Sequence, residues 1–175
     1  MTRVALLALA RRAIEAWVRG EPAPAADVPG GEAPSGVFVS LYRGAELRGC
    51  LGHLEPDRPL ARAVVEMAVA AARDDPRFPP VAPDEMADLT IEISVLTPPV
   101  PASPERVVAG RDGVVIRRGE RQGVFLPQVA TAYAWDRETL LTMACRKAGL
   151  ADGAWRENRA ELLIFQAQVI TAPPS

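Results

Sequence analysis

One histidine, one lysine and two cysteines in 175 residues close off several classes of function at once. His53, Cys50 and Cys145 fall short of the three or four protein ligands that zinc ordinarily takes, and no CxxC pair or His cluster is present, so neither a metal nor any other cofactor is expected. Two cysteines do not make a disulfide framework, which points to a reducing, cytoplasmic setting. No segment approaches the roughly 20 apolar residues that span a bilayer. Arg3 precedes the apolar run Val4–Ala10, but that run is short and continues into Arg11 and Arg12 in helical phase, unlike a signal peptide. The arginine pair also follows the apolar run, the wrong order for twin-arginine export. Charge of one sign is missing too: the formal net charge is −2 and the sequence pI about 5.5, which argues against a surface built for phosphate contacts. All basic residues but Lys147 are arginine, a compositional bias that strips individual arginines of meaning by type alone.

What is present is a chain with 49% hydrophobic composition, enough for one buried core, expected as a single domain over 1–175 with a smaller lobe. Thr2 is placed to cap a helix through about Arg19, with Leu6, Leu9, Ala10, Ala13 and Trp17 on one face and Gly20 as its stop. Residues 20–35, "GEPAPAADVPGGEAPS", have no period and read as a flexible loop, of the length that is usually functional or disordered. "VFVSLYRGAELRGCL" reads as a hairpin closed by a type II′ turn at Gly44-Ala45. Pairing Arg43 with Glu46 then sets Leu41 opposite Arg48, Val39 opposite Cys50 and Val37 opposite Gly52. Residues 59–73 form a helix apolar nearly all round, begun by Asp57 and an early proline. "DDPRFPPVAP" stops it, because residues before prolines avoid helix; Asp75 and Arg77 pair there, with Phe78 docked inward as a rigid corner. Residues 89–96 alternate as a half-buried strand. A second hairpin follows with a turn at Gly119-Glu120, then a helix starting at Pro127, and a helix capped by Asp136 that ends at Gly149 with Arg146 and Lys147 in its last turn. "LLIFQAQVI" is the last strand. Antiparallel hairpins with helices between them make an α+β fold, an antiparallel sheet flanked by helices.

Chemistry centres on Cys50. A thiolate is the reactive form and needs a positive environment, which Arg48 supplies in this register. Gly49 and Gly52 leave room for a ligand or a second backbone to approach. The competing reading makes Cys50 a small buried hydrophobe and the glycines seats for a helix. A Cys50–His53 dyad requires the chain to turn at Gly52, since three residues along a strand point to opposite faces. Glu92 lies on the polar face of its strand, either solvated or serving as an acid or base. Gln128 falls in a helix's first turn, where free N–H groups attract anions, and Arg77 joins Gly49, Gly52 and Gln128 as a binding candidate.

Taken together, "GVFVSL" leading to "LRGCLG", then "DPRFPPV", "IEISVL", "GVFLPQV" and "CRKAGL" with Trp155, resembles the AMMECR domain family. The resemblance covers about residues 6–170 and is most specific at Leu47, Arg48, Gly49, Cys50, Leu51 and Gly52. It implies a larger lobe, a smaller lobe and a cleft between them near this signature. It also implies the bacterial branch known as protein A of the AmmeMemoRadiSam system, acting with a Memo-like protein and a radical S-adenosylmethionine protein. His53 departs from the small hydroxyl residue the family carries there. Two functions are left standing: cysteine-dependent chemistry by Cys50 with Arg48, Glu92 and His53, or a non-catalytic subunit whose cleft binds a small molecule, a peptide or an RNA element. An independent nucleic-acid binder is disfavoured by charge, and no membrane association is expected.

Overall fold

The computed structural model describes residues 3–156 and 158–172. In chain order the elements are α1 (Arg3–Val18), β1 (Val37–Arg43), β2 (Glu46–His53), α2 (Leu60–Arg73), β3 (Leu89–Leu96), β4 (Val100–Pro101), β5 (Gly113–Arg118), β6 (Arg121–Phe125), α3 (Pro127–Ala132), α4 (Arg137–Lys147), β7 (Glu161–Phe165) and β8 (Ala167–Thr171). They make an α+β fold of two compact units, Met1–Leu96 with Gln168–Ser175, and Thr97–Ala167. Each unit holds one four-stranded sheet. Among the described residues no helix is long and apolar enough to cross a membrane.

In the first unit the strand order is β2-β1-β3-β8. Leu6, Leu9, Ala10, Ala13 and Ile14 of α1 and Val64, Ala68 and Ala71 of α2 bury against Val37, Val39, Leu41, Ile91 and Ile93 of the sheet. Burying side chains of this size stabilises by about 1.5–3 kcal/mol each, before the conformational entropy cost. The expected stop of α1 is real: Gly20 sits at φ 69° and donates to Trp17 O, while Glu21 donates to Ala16 O, the paired bonds of a Schellman ending. The Thr2 cap falls outside the described residues. Helix α2 begins differently from expectation. Pro59, with no side-chain cap, occupies the N-cap position, and Asp57 instead binds His53 and Arg58. Two of the free N–H groups are met by the preceding segment, Leu60 N donating to Ala33 O and Ala61 N to Gly31 O, each at 3.0 Å. Part of residues 20–35 is thereby built into the unit, with Val28 buried in its core.

The hairpin turn carries positive φ at Gly44 and not at Ala45, as a type II′ turn demands, and the same holds for Gly119 and Glu120. The register departs from expectation. A bulge between Leu41 and Tyr42 leaves Arg48 as the extra residue, so Leu41 faces Gly49, Ser40 faces Cys50 and Val37 faces His53. One inserted residue moves Cys50 off the core face and onto the polar one.

In the second unit the order is β4-β7-β5-β6. Asp136 caps α4, its Oδ1 accepting from Thr139 N at 2.8 Å. Gly149, at φ 73°, closes α4 with another Schellman pair, Gly149 N to Arg146 O and Leu150 N to Cys145 O. The expected single last strand is two: after Phe165 the chain passes Gln166 and leaves one sheet for the other, β7 pairing with β5 and β8 lying beside β3. Both units share a plan, a hairpin whose first strand also pairs with the strand that follows the helix. In both, a hairpin glycine sits beneath a helix backbone, since a Cβ on Gly49 would lie 2.3 Å from Ala71 O and one on Gly123 2.3 Å from Ala144 O.

Candidate functional site

The corrected register groups residues that the expected one kept apart. Across the sheet, Cys50, Ser40 and Glu92 form one row, flanked by the row Gly52, Phe38, Ser94 and the row Leu47, Tyr42, Thr90. Ser40 and Ser94 are buried at 4% and 1% exposure, and Cys50, Tyr42 and Glu92 are half-buried. The Ser40 hydroxyl donates to Cys50 Sγ at 3.2 Å. Burial pushes the Tyr42 hydroxyl above its ordinary pKa, and the charges of Glu92 and Cys50 add to the effect. Polar residues this well buried on a strand face need partners, and Ser40 finds one in Cys50.

The cation beside Cys50 is Arg77. Asp75 Oδ2 accepts from Cys50 N at 2.9 Å and from Arg77 Nη2 at 2.8 Å, and Asp75 Oδ1 accepts from Arg77 N and Nε at 3.0 and 3.1 Å. The Arg77 fork brings the buried Asp75 carboxyl down to about 2, helped by the two backbone N–H groups. Arg77 itself is raised, chiefly by Asp75, and the charge of Cys50 contributes in the same direction. The expected Asp75–Arg77 pair is therefore present. Phe78 is half-buried, its ring flanked by Arg77 at 5.5 Å and Arg48 at 6.0 Å.

Arg48 has a different attachment. As the bulged residue it grips Glu85 with both arms, Nε to Oε1 at 2.8 Å and Nη2 to Oε2 at 3.0 Å, and so ties β2 to the 3-10 turn Pro83–Asp88. That contact draws Glu85 below its ordinary pKa against the opposing effect of burial. His53 lies on the opposite sheet face from Cys50, paired with Val37, and its Nε2 meets Asp57 Oδ1 at 2.9 Å. Arg58 bridges Asp57 to Glu66, which Arg62 also binds. Gly49 seats α2, and Gly52 lies under the Phe38 ring, which a Cβ there would meet at 2.2 Å. Gln128 is the second residue of α3, in the other unit.

Of the residues singled out in the sequence, the structure thus gathers Cys50, Glu92 and Arg77, engages Arg48 with Glu85 and puts His53 on the opposite sheet face, while Gln128 belongs to the other unit. Sequence reasoning missed Ser40, Tyr42 and Ser94. Their alternation with Val39, Leu41, Ile93 and Val95 was visible, but only the bulge shows that Cys50 shares their face. Among the described residues no group of three or more His, Cys, Asp or Glu converges to hold a metal ion. The second unit offers a contrast. Its row equivalent to Cys50, Ser40 and Glu92, counted from the packed glycines, is Val124, Val115 and Leu163. The plan of the fold accepts apolar residues in this row, so the polar set in the first unit is not a requirement of the plan.

The AMMECR1 family model matches residues 7–170. Proteins of Thermofilum pendens and Methanothermobacter thermautotrophicus are each 42% identical to this chain over 94% of its length, covering 86% and 91% of their own. A solved structure, the crystal structure of the uncharacterized protein PH0010 from Pyrococcus horikoshii, superposes with a TM-score of 0.89 at 38% identity, over 94% of this chain and 88% of that one.

Proposed function

Since the chain belongs to the AMMECR1 family over nearly its whole length, we propose that the family signature in it serves a thiol site on the first sheet, with Cys50 as the group that engages a small electrophilic substrate. The observation that carries this reading is the polar row itself: Cys50 Sγ accepting from Ser40 at 3.2 Å, with Glu92 next across the sheet, where the second unit has only valine and leucine. Ser40 and Arg77 favour the thiolate, one by hydrogen bond and the other by charge. As thiolate, Cys50 forms a bond to an electrophilic carbon while the bond to the leaving group breaks with its electron pair, and the thiol proton passes to Glu92 or water. Arg48 in this reading holds the bulge that aims Cys50, and His53 takes no part.

The finer placement, as protein A of an AmmeMemoRadiSam system beside a Memo-like protein and a radical S-adenosylmethionine protein, is supported by the Leu-Arg-Gly-Cys-Leu-Gly signature alone. The relatives compared are archaeal.

The test is the pH dependence of alkylation of the native protein, resolved for each cysteine by mass spectrometry. Cys145, fully buried and raised above the ordinary thiol pKa by burial, is the internal reference. Cys50 is expected to react below pH 7 while Cys145 is protected. If Cys50 reacts only on unfolding, the thiol reading fails and a non-catalytic binding subunit takes its place.

A further inference from the structure

Strand β2 is the edge of its sheet, so the N–H groups along its outer side have no strand to meet. At Cys50 that N–H goes to a buried carboxylate rather than to solvent. Water would satisfy a lone edge N–H equally well, and burying an anion for the purpose is costly unless the anion is itself paired. Asp75 is paired completely: four donors, Cys50 N, Arg77 N, Arg77 Nε and Arg77 Nη2, occupy its two oxygens. Because Oδ2 receives both Cys50 N and Arg77 Nη2, the strand backbone at the thiol and the guanidinium are held by one atom.

We infer that Asp75 is a positioning residue for Cys50, a single buried carboxylate that locks β2 at the thiol and keeps the Arg77 guanidinium beside it; the inference rests on the thiol reading above. The corner that carries Asp75 is stiff. Pro76 fixes the chain between the paired residues, Phe78 N donates to Asp75 O at 3.2 Å, and Val81 N returns to Ala72 O at 2.8 Å. The Phe78 ring between Arg77 and Arg48 limits where either guanidinium can go. The need for such a holder follows from the charges around the thiol. Tyr42 faces it from β1, Glu92 belongs to its row on β3, and Asp75 and Arg77 reach it from the corner. In that set the ionised forms of Tyr42, Glu92 and Asp75 are negative and oppose a thiolate. Arg77 alone favours one, and its exposed side chain, at 58%, would be free to swing into solvent without Asp75.

The experiment compares D75N, R77Q and R77K with the unmodified protein by the alkylation profile of Cys50 against pH and by amide hydrogen exchange at Cys50. Both D75N and R77Q are expected to move the profile to higher pH, with Cys50 about tenfold less reactive at pH 7, as a one-unit shift gives. R77K, which keeps the charge, is expected to retain most of the reactivity, and D75N to speed exchange of the Cys50 amide. A merely structural Asp75 would lower the melting temperature of D75N and leave the Cys50 profile in place below it, and that outcome overturns the inference while the thiol reading stands. Should D75N not fold, the arginine pair decides, for an R77Q profile identical to the unmodified one overturns the inference as well. An inert Cys50 in the unmodified protein removes the thiol reading, and the positioning role goes with it.

Discussion

A carboxylate held near a pKa of about 2 makes a specific demand on the acid stability of the protein, and Asp75 is that group. Its folded pKa lies below the ordinary 3.8, so its contribution to stability is fully present above about pH 4 and is lost as the pH falls through 4 toward 2. The shift corresponds to about 2 kcal/mol. Replacing Asp75 with Asn should therefore lower stability at pH 7 by at least that amount and flatten the difference between the variants from pH 4 to pH 2, as measured by urea unfolding at a series of pH values; parallel curves over that range would contradict it. Arg48→Ala tests the other guanidinium. Removing its half-buried, two-armed contact with Glu85 should cost about 2–3 kcal/mol and, by loosening the bulge that aims Cys50, slow its alkylation at every pH without moving the midpoint of the profile, because the charge beside the thiol is that of Arg77. At this scale the sequence was partly legible. Asp75 and Arg77 are two residues apart across a proline, so their pairing was readable from spacing. The bond from Cys50 N to Asp75 spans 25 positions and depends on which way a strand edge faces, and no local pattern encodes that.

Elements show the same division between what local chemistry writes and what packing decides. Turns at Gly44 and Gly119, the Schellman endings at Gly20 and Gly149, the Asp136 cap and the bounds of β3 all follow from residues within a few positions of the feature, and all were readable. The bulge at Arg48 was not, because an alternation of Leu47, Gly49 and Leu51 fits an unbroken strand equally well. It is fixed from outside, by Glu85 on one side and by the seat of α2 over Gly49 on the other. The break at Gln166 was hidden similarly, since four apolar residues and a further alternation look continuous until two separate sheets claim them. The seat over Gly49 gives a direct test. A Cβ there would stand 2.3 Å from the Ala71 carbonyl oxygen, a backbone atom that can withdraw only if α2 shifts. Gly49→Ala should destabilise by about 3 kcal/mol or more, seen as a large drop in thermal midpoint. Gly44→Ala meets nothing within 4 Å and bears only the strain of its positive φ, about 1 kcal/mol. Equal effects of the two substitutions would mean that α2 yields easily and that Gly49 is not a packing site.

On the scale of the molecule, the same hairpin, helix and strand plan is used twice, and only one copy carries polar chemistry in its central row. Two similar hairpins were visible in the sequence, but their equivalence was not, because the bulge offsets the second strand of one by a residue and the apolar identities differ at nearly every position. Once aligned on Gly49 and Gly123, each unit becomes a control for the other. Buried Val115 and Leu163 show that this plan tolerates a dry row, and a row of buried polar groups is commonly matched or bettered in stability by apolar residues of similar volume. A protein that nevertheless places Ser40, Cys50 and Glu92 there forgoes stability in exchange for chemistry, the usual mark of a functional site. The triple variant Ser40→Val, Cys50→Val, Glu92→Leu writes the second unit's row into the first. It is expected to fold with a thermal midpoint equal to or above that of the unmodified protein, while losing whatever activity the protein supports in its host when it replaces the chromosomal copy. A variant that melts well below the original would show that these side chains hold the first unit together. One that is stable and fully active in the host would place the function of the protein elsewhere than at Cys50.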